Sequence, residues 1–228
     1  FPALKDLPAD QVRVEVDATL KDVLLPSVVH GLDLTGGPYN LTVKGGAVTI
    51  AGQGALGGKA IDLTYMQAIN LAESDYLSKI KAKITTDAAL RTKFGVNLDQ
   101  FVAGDVPVTL DYTEAKTKDE TIGIVADVTP AVVMFSPFKY RKPAGIGGQV
   151  TCMVTTHNGD VQKISDLKLA INKGGEASGS ILFGKVGGVQ DVKSGKFSNF
   201  TLAGANNFAL DFTQTAPNVF DITIQGKQ

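Results

Sequence analysis

The sequence has no tryptophan, one cysteine (Cys152) and only two histidines, His30 and His157, in 228 residues. A single cysteine excludes an intrachain disulfide and any zinc site built on several thiolates. An excess of one charge sign is also missing: 22 basic residues face 23 acidic ones, for a net charge of -1. That balance argues against a nucleic-acid partner, which needs a basic footprint. It argues equally against a surface that grips acidic lipid headgroups by charge alone. No apolar run approaches the roughly 20 residues of a bilayer-spanning helix. The chain starts at Phe1 with no basic-then-apolar leader after it, and is expected to be a mature form or an excised piece of a longer protein.

What is abundant is alternation, punctuated by glycine. Val12, Val14, Val16, Ala18 and Leu20 are separated by Arg13, Glu15, Asp17 and Thr19. The same period of two runs through Tyr39, Leu41 and Val43, through Val48 and Ile50, and through Ile61, Leu63 and Tyr65. It returns in Val106, Val108, Leu110 and Tyr112, in Ile122, Ile124, Ala126 and Val128, and in later runs ending at Phe220, Ile222 and Ile224. Each run places apolar side chains on one face of a strand and polar ones on the other. Gly36-Gly37-Pro38, Gly45-Gly46, Gly57-Gly58, Asn158-Gly159 and Lys173-Gly174-Gly175 mark breaks between runs, where tight hairpins need positive φ. The fold class is mostly β: a single elongated domain built on antiparallel sheet.

One stretch breaks the rhythm. Thr86 to Gly95 reads as a short helix with Thr86 or Asp87 as N-cap, Leu90 and Phe94 at i and i+4, and Gly95 as the stop. A second short turn is expected over 97–102, so one or two short helices fall near residues 87–102. Tyr76 to Thr85 is read as a strand, because Ile80, Ala82 and Ile84 alternate with Lys79, Lys81 and Lys83. A weak internal repeat relates residues 12–65 to 122–183, with Asp17, Thr19 and Val23 matching Asp127, Thr129 and Val133.

Candidate chemistry is sparse. Gly52-Gln53-Gly54-Ala55-Leu56-Gly57 has the spacing of a dinucleotide loop, but a strand-like run follows where a helix N-terminus is needed, so it is read as a hairpin turn. Ser194-Gly195-Lys196-Phe197 is likewise read as a turn. Both histidines fall at turn positions, and Cys152 falls on the apolar beat of its strand. The pairs Asp119-Glu120 and Asp111/Glu114 sit in charged, loop-like sequence, where solvated carboxylates are the expectation. No catalytic residue, metal ligand set or cofactor motif emerges, and no enzyme is expected.

The order of features resembles a known family. Pro26 to Tyr65, PSVVHGLDLTGGPYNLTVKGGAVTIAGQGALGGKAIDLTY, is similar to a recurring element of the AsmA-like envelope proteins of Gram-negative bacteria, particularly the large YhdP-type members. Ala89 to Leu110, ALRTKFGVNLDQFVAGDVPVTL, resembles the family's short helix, glycine and following strand. Ile124 to Gly145 resembles its aspartate-to-proline stretch, with Lys142, Pro143 and Gly145 in place and Val128 where a leucine is usual. Phe200 to Gly226 is similar to its closing strands. The resemblance implies a long curved sheet forming an open β-groove, in the periplasm and anchored to the inner membrane by a segment outside this piece. It further implies phospholipid as partner, together with flanking segments of the same longer chain, and a part in lipid transport to the outer membrane and in envelope integrity.

An apolar trough suits that work, since acyl burial yields about 0.8 kcal/mol per methylene without polar contacts. The expected lining is Val12, Val14, Val16, Leu41, Val43, Val48, Ile50, Ile61, Leu63 and Tyr65, extended by Val108, Leu110, Ile122 and Ile124. Alternation by itself fits a second architecture, a β-sandwich whose apolar faces pack together. The chain would then be a binding or spacer module of the envelope.

Overall fold

Alternating runs become a meander. In the computed structural model, residues 14–136, 139–172, 174–186, 189–202, 207–216 and 219–226 are described. The first half of the main sheet comprises β1 (Val16–Leu20), β2 (Val23–Val29), β3 (Leu32–Lys44), β4 (Ala47–Leu56), β5 (Lys59–Ala68) and β6 (Tyr76–Thr86). An excursion through α1 (Ala88–Lys93) and β7 (Val102–Ala103) leads to β8 (Val106–Ala115) and β9 (Asp119–Asp127). A second excursion, β10 (Val132–Phe135) and β11 (Tyr140–Lys142), precedes β12 (Gly148–His157) and β13 (Asp160–Ile171). The sheet ends with β14 (Gly175–Val186), β15 (Val189–Leu202), β16 (Phe208–Ala216) and β17 (Val219–Gly226).

Fourteen of these strands form one curved antiparallel sheet in the order β1-β3-β4-β5-β6-β8-β9-β12-β13-β14-β15-β16-β17, with β2 also on β3. The order is linear, so the sheet does not close into a barrel. β1 and β2 together make one interrupted edge strand, pairing residues 39–43 and 32–36 of β3 respectively. Apart from that edge, every neighbour in the sheet is the next sheet strand in sequence, and the two excursions meet in a three-stranded sheet, β11-β10-β7. Both excursions leave from the same strand ends, those of Thr86, Val106, Asp127 and Gly148. We call that side the capped rim. The opposite, free rim carries turns such as Gly45-Gly46 and Asn158-Gly159, whose φ of +58°, +74°, +52° and +80° suit two-residue hairpins.

The excursions cover part of the apolar face. α1 is capped by Asp87, whose carboxylate accepts from the Leu90 amide at 2.8 Å, and Gly95 follows at φ +76°. Leu90 packs with Leu32, Leu34, Tyr39, Leu56 and Ile61 in one core cluster. Val133 and Ala131 from the second excursion join Val106, Val128, Leu169, Ile171, Ala177 and Phe200 in another. Lys142 fastens that excursion: 2% exposed, it donates to the carbonyls of Ala131 (2.9 Å), Pro143 (3.0 Å) and Thr129 (3.4 Å). Burial lowers its pKa, and Asp127 opposes that shift.

Among the described residues one helix forms, within the one or two expected, and residues 98–102 make the expected turn, with the Phe101 and Val102 amides on the Leu98 carbonyl. Several glycine turns are corrected. Gly36-Gly37-Pro38 does not end a strand but forms a bulge inside β3, with a cis Gly37-Pro38 bond. In the Gly52–Gly57 motif only Gly57 turns the chain. Gly52 and Gly54 lie within β4, and a Cβ on either would strike the Tyr39 ring, which is 1% exposed. Gly195 is also a strand residue, in β15, where a Cβ would meet the Phe212 ring. Glycine here makes room for aromatic rings rather than for ligands. The two repeat copies are placed differently: Asp17 pairs Thr42 within β1, whereas Asp127 ends β9 and accepts from the Thr129 amide at 2.8 Å.

Candidate functional site

The expected lining can be traced across the sheet by register, because directly paired residues share a face. One cross-strand row runs Ala18, Leu41, Ile50, Tyr65, Ile80, Tyr112, Ile122 and Val154. It continues through Ile164, Ile181, Gly195 and Phe212 to Ile222. Nearer the capped rim, Leu63, Ala82, Leu110, Ile124 and Cys152 form a parallel row, and Ile61, Ile84, Val108, Ala126 and Val150 the next. Nearer the free rim, Val16, Val43 and Val48 align. All the described members of the expected lining therefore lie on one face. Val14 shares their parity just ahead of β1 and is exposed, and Val12 lies outside the described residues.

They do not share one environment. Ile61 is buried under α1 in the first core cluster, Ile50 and Leu63 pack against that same cluster, and Val108 packs against the second. Leu41, Val43, Val48, Tyr65, Leu110, Ile122 and Ile124 are half-buried and belong to neither cluster. With Ile80 and Val154 they form an uncovered apolar lane running across the strands, between the capped rim and the free one. At the last strand the lane stays open, with Ile222 61% exposed. Among the described residues only α1 and the three-stranded sheet contribute further elements to the two core clusters.

The next row towards the free rim is polar, which sequence reasoning missed. Gln67, Ser78, Glu114, Glu120 and Thr156 stand in direct register beside Val48. Glu114 and Glu120 are not loop carboxylates: they end β8 and begin β9, face each other across the ladder, and lie on the apolar face. The signal was present, since Glu114 keeps the even beat of Val108, Leu110 and Tyr112. Neutral donors hold them. Ser78 Oγ donates to Glu114 Oε2 at 2.9 Å, Tyr112 donates to Glu120 Oε1 at 3.1 Å, and Thr156 donates to Glu120 Oε2. Burial first, and then the charges of Glu120 and Glu114, push the Tyr112 pKa up to about 12.

The remaining reactive residues are dispersed. Cys152 is half-buried on the lane side, and burial raises its thiol pKa. His157 Nδ1 meets Asp119 Oδ1 at 2.7 Å on the exposed free rim, while His30 packs edge-on against Phe94 at 5.5 Å. Among the described residues no group of three potential metal ligands comes together, and no helix is long and apolar enough to cross a membrane. Compared with family models, with curated proteins and with solved structures, the chain matches none significantly.

Proposed function

We propose that the chain is a lipid-binding trough: a segment of a periplasmic β-groove that takes phospholipid acyl chains along its apolar lane and supports lipid transport between the inner and outer membranes. The observation that carries this reading is the lane itself, an apolar row continuous over twelve strand-to-strand steps on an unclosed sheet, half-buried along most of its length, exposed at its ends and packed against a core cluster only at Ile50. Apolar faces of this extent on soluble domains mark interaction sites. An acyl chain lying along the row would gain about 0.8 kcal/mol for each methylene it buries, and the headgroup would remain at a rim in water. The order of sequence motifs that resembles the AsmA-like family supports the envelope setting, with flanking segments of a longer chain extending the sheet and an anchor elsewhere holding it at the inner membrane. A spacer module with the same sheet is the alternative.

Val43→Asp tests the reading. Val43 is half-buried beside the lane and lies outside both core clusters, so its charge strikes the occupant harder than the fold. Phospholipid displacement of an environment-sensitive apolar dye should weaken by about tenfold or more, as losing two buried methylenes requires. A folded Val43→Asp protein that binds lipid like the parent would refute the trough.

A further inference from the structure

We infer that Arg91 forms a phosphate site at the capped rim. Arg91 belongs to α1 and is 6% exposed. Its Nη1 donates to the carbonyls of Thr86 and Gly104, both at 3.1 Å, which ties the helix to the end of β6 and to the turn before β8. Nε and Nη2 are buried and have no partner. Those two N–H groups lie on one edge of the planar guanidinium, and that edge is the fork which matches two oxygens of a phosphate or carboxylate. A buried, unused fork is costly to maintain, and such groups call for a missing partner.

The surroundings select an anion. Arg91 acts on the Asp87 carboxylate, the least of the causes that hold its pKa down, but Lys59 engages that carboxylate at 2.6 Å. Gly104, which receives Arg91, abuts Ala131, and the Ala131 carbonyl receives the buried ammonium of Lys142. Two buried cations thus flank one contact, and among the described residues neither has a carboxylate within ion-pair distance. The opposite rim carries Glu114 and Glu120 on the same sheet face. The capped rim also carries Asp87 and Asp127, but each already accepts from a backbone amide, whereas the free rim sets two carboxylates side by side, so an anionic group is favoured at the α1 side over the other. The occupant is a phosphate, either free or carried by an amphiphile whose chains follow the lane; only the second source rests on the trough reading.

The test is a nuclear magnetic resonance titration of the whole chain, following the side-chain Nε–H of Arg91. The sequence has only three arginines, Arg13, Arg91 and Arg141, and Arg91→Lys identifies the signal. The probes are inorganic phosphate, short-chain phosphatidic acid and, as an uncharged control, short-chain diacylglycerol. A saturable shift with phosphatidic acid alone supports a lipid headgroup; a shift with both phosphates at similar concentration supports the free ion. Arg91→Lys keeps the charge, loses the fork and, followed by the backbone amides of α1 in both proteins, should weaken either by about tenfold. If neither phosphate moves the resonance, the fork is satisfied by water and the proposal is wrong, whether or not Arg91→Lys folds. Diacylglycerol binding without any phosphate shift overturns the Arg91 site and leaves the trough standing. A phosphate shift with no diacylglycerol or dye binding overturns the trough and leaves the site.

Discussion

Gly195 and Phe212 face each other across β15 and β16, and the contact between them can be measured. A Cβ added to Gly195 would land on the Phe212 ring, and the ring carbons are its three nearest atoms. Gly195→Ala should therefore carry two opposing effects. Overpacking against the ring costs about 1–3 kcal/mol. Restricting the unfolded chain returns about 0.5–1 kcal/mol, the usual penalty of glycine within a strand. The net result is a loss of about 0–2.5 kcal/mol. In a Phe212→Ala background the clash disappears and only the gain remains, so the same change should stabilise by about 0.5–1 kcal/mol. A double-mutant cycle read by urea denaturation and far-ultraviolet circular dichroism then gives a coupling of about 1–3 kcal/mol. Additive effects would refute the reasoning at its root, because a one-residue slip of β16 would carry Phe212 to the other face and remove the contact.

Two titrations follow from the polar groups. Tyr112, at about 12, should ionise well above an ordinary tyrosine near 10; Glu120→Gln should lower that value while leaving it above 10, because burial is the larger cause, and tyrosinate absorbance reads it. The Asp87 carboxyl is held below its ordinary value, first by the hydrogen bond from Lys59 and then by the Leu90 amide. A lowered folded pKa means its contribution is complete above the unfolded value of about 3.9 and is lost as pH falls through the folded one. Asp87→Asn should accordingly destabilise α1 at neutral pH and lessen the acid sensitivity of melting; an unchanged acid limb would show that Asp87 plays no part in it.

Strand content, sheet order and the face of every described lining residue were legible because alternation has a period of two and each hairpin joins sequence neighbours. Tyr76 to Thr85 shows how far this reaches: its lysines favour helix, yet Ile80, Ala82 and Ile84 decide the matter by sharing the apolar face of the sheet, the last two against the first core cluster. Glycine was harder to read. Gly52, Gly54 and Gly195 look like turn or loop residues, and only a ring from a neighbouring strand explains them. Glu114 and Glu120 read as solvated because short charged stretches usually are, whereas the strands extend far enough to carry both onto the apolar face. The burial of Arg91 and Lys142 depends on where two excursions meet, and nothing local to either residue announces it.

The central claim is that the lane holds lipid. Native mass spectrometry of the gently purified chain, followed by lipid extraction, tests it most directly. The account predicts co-purifying phospholipid that is lost in a folded Val43→Asp protein. A lipid-free chain that also fails to take up added phospholipid or an apolar dye would contradict it, and would leave the sheet as a spacer.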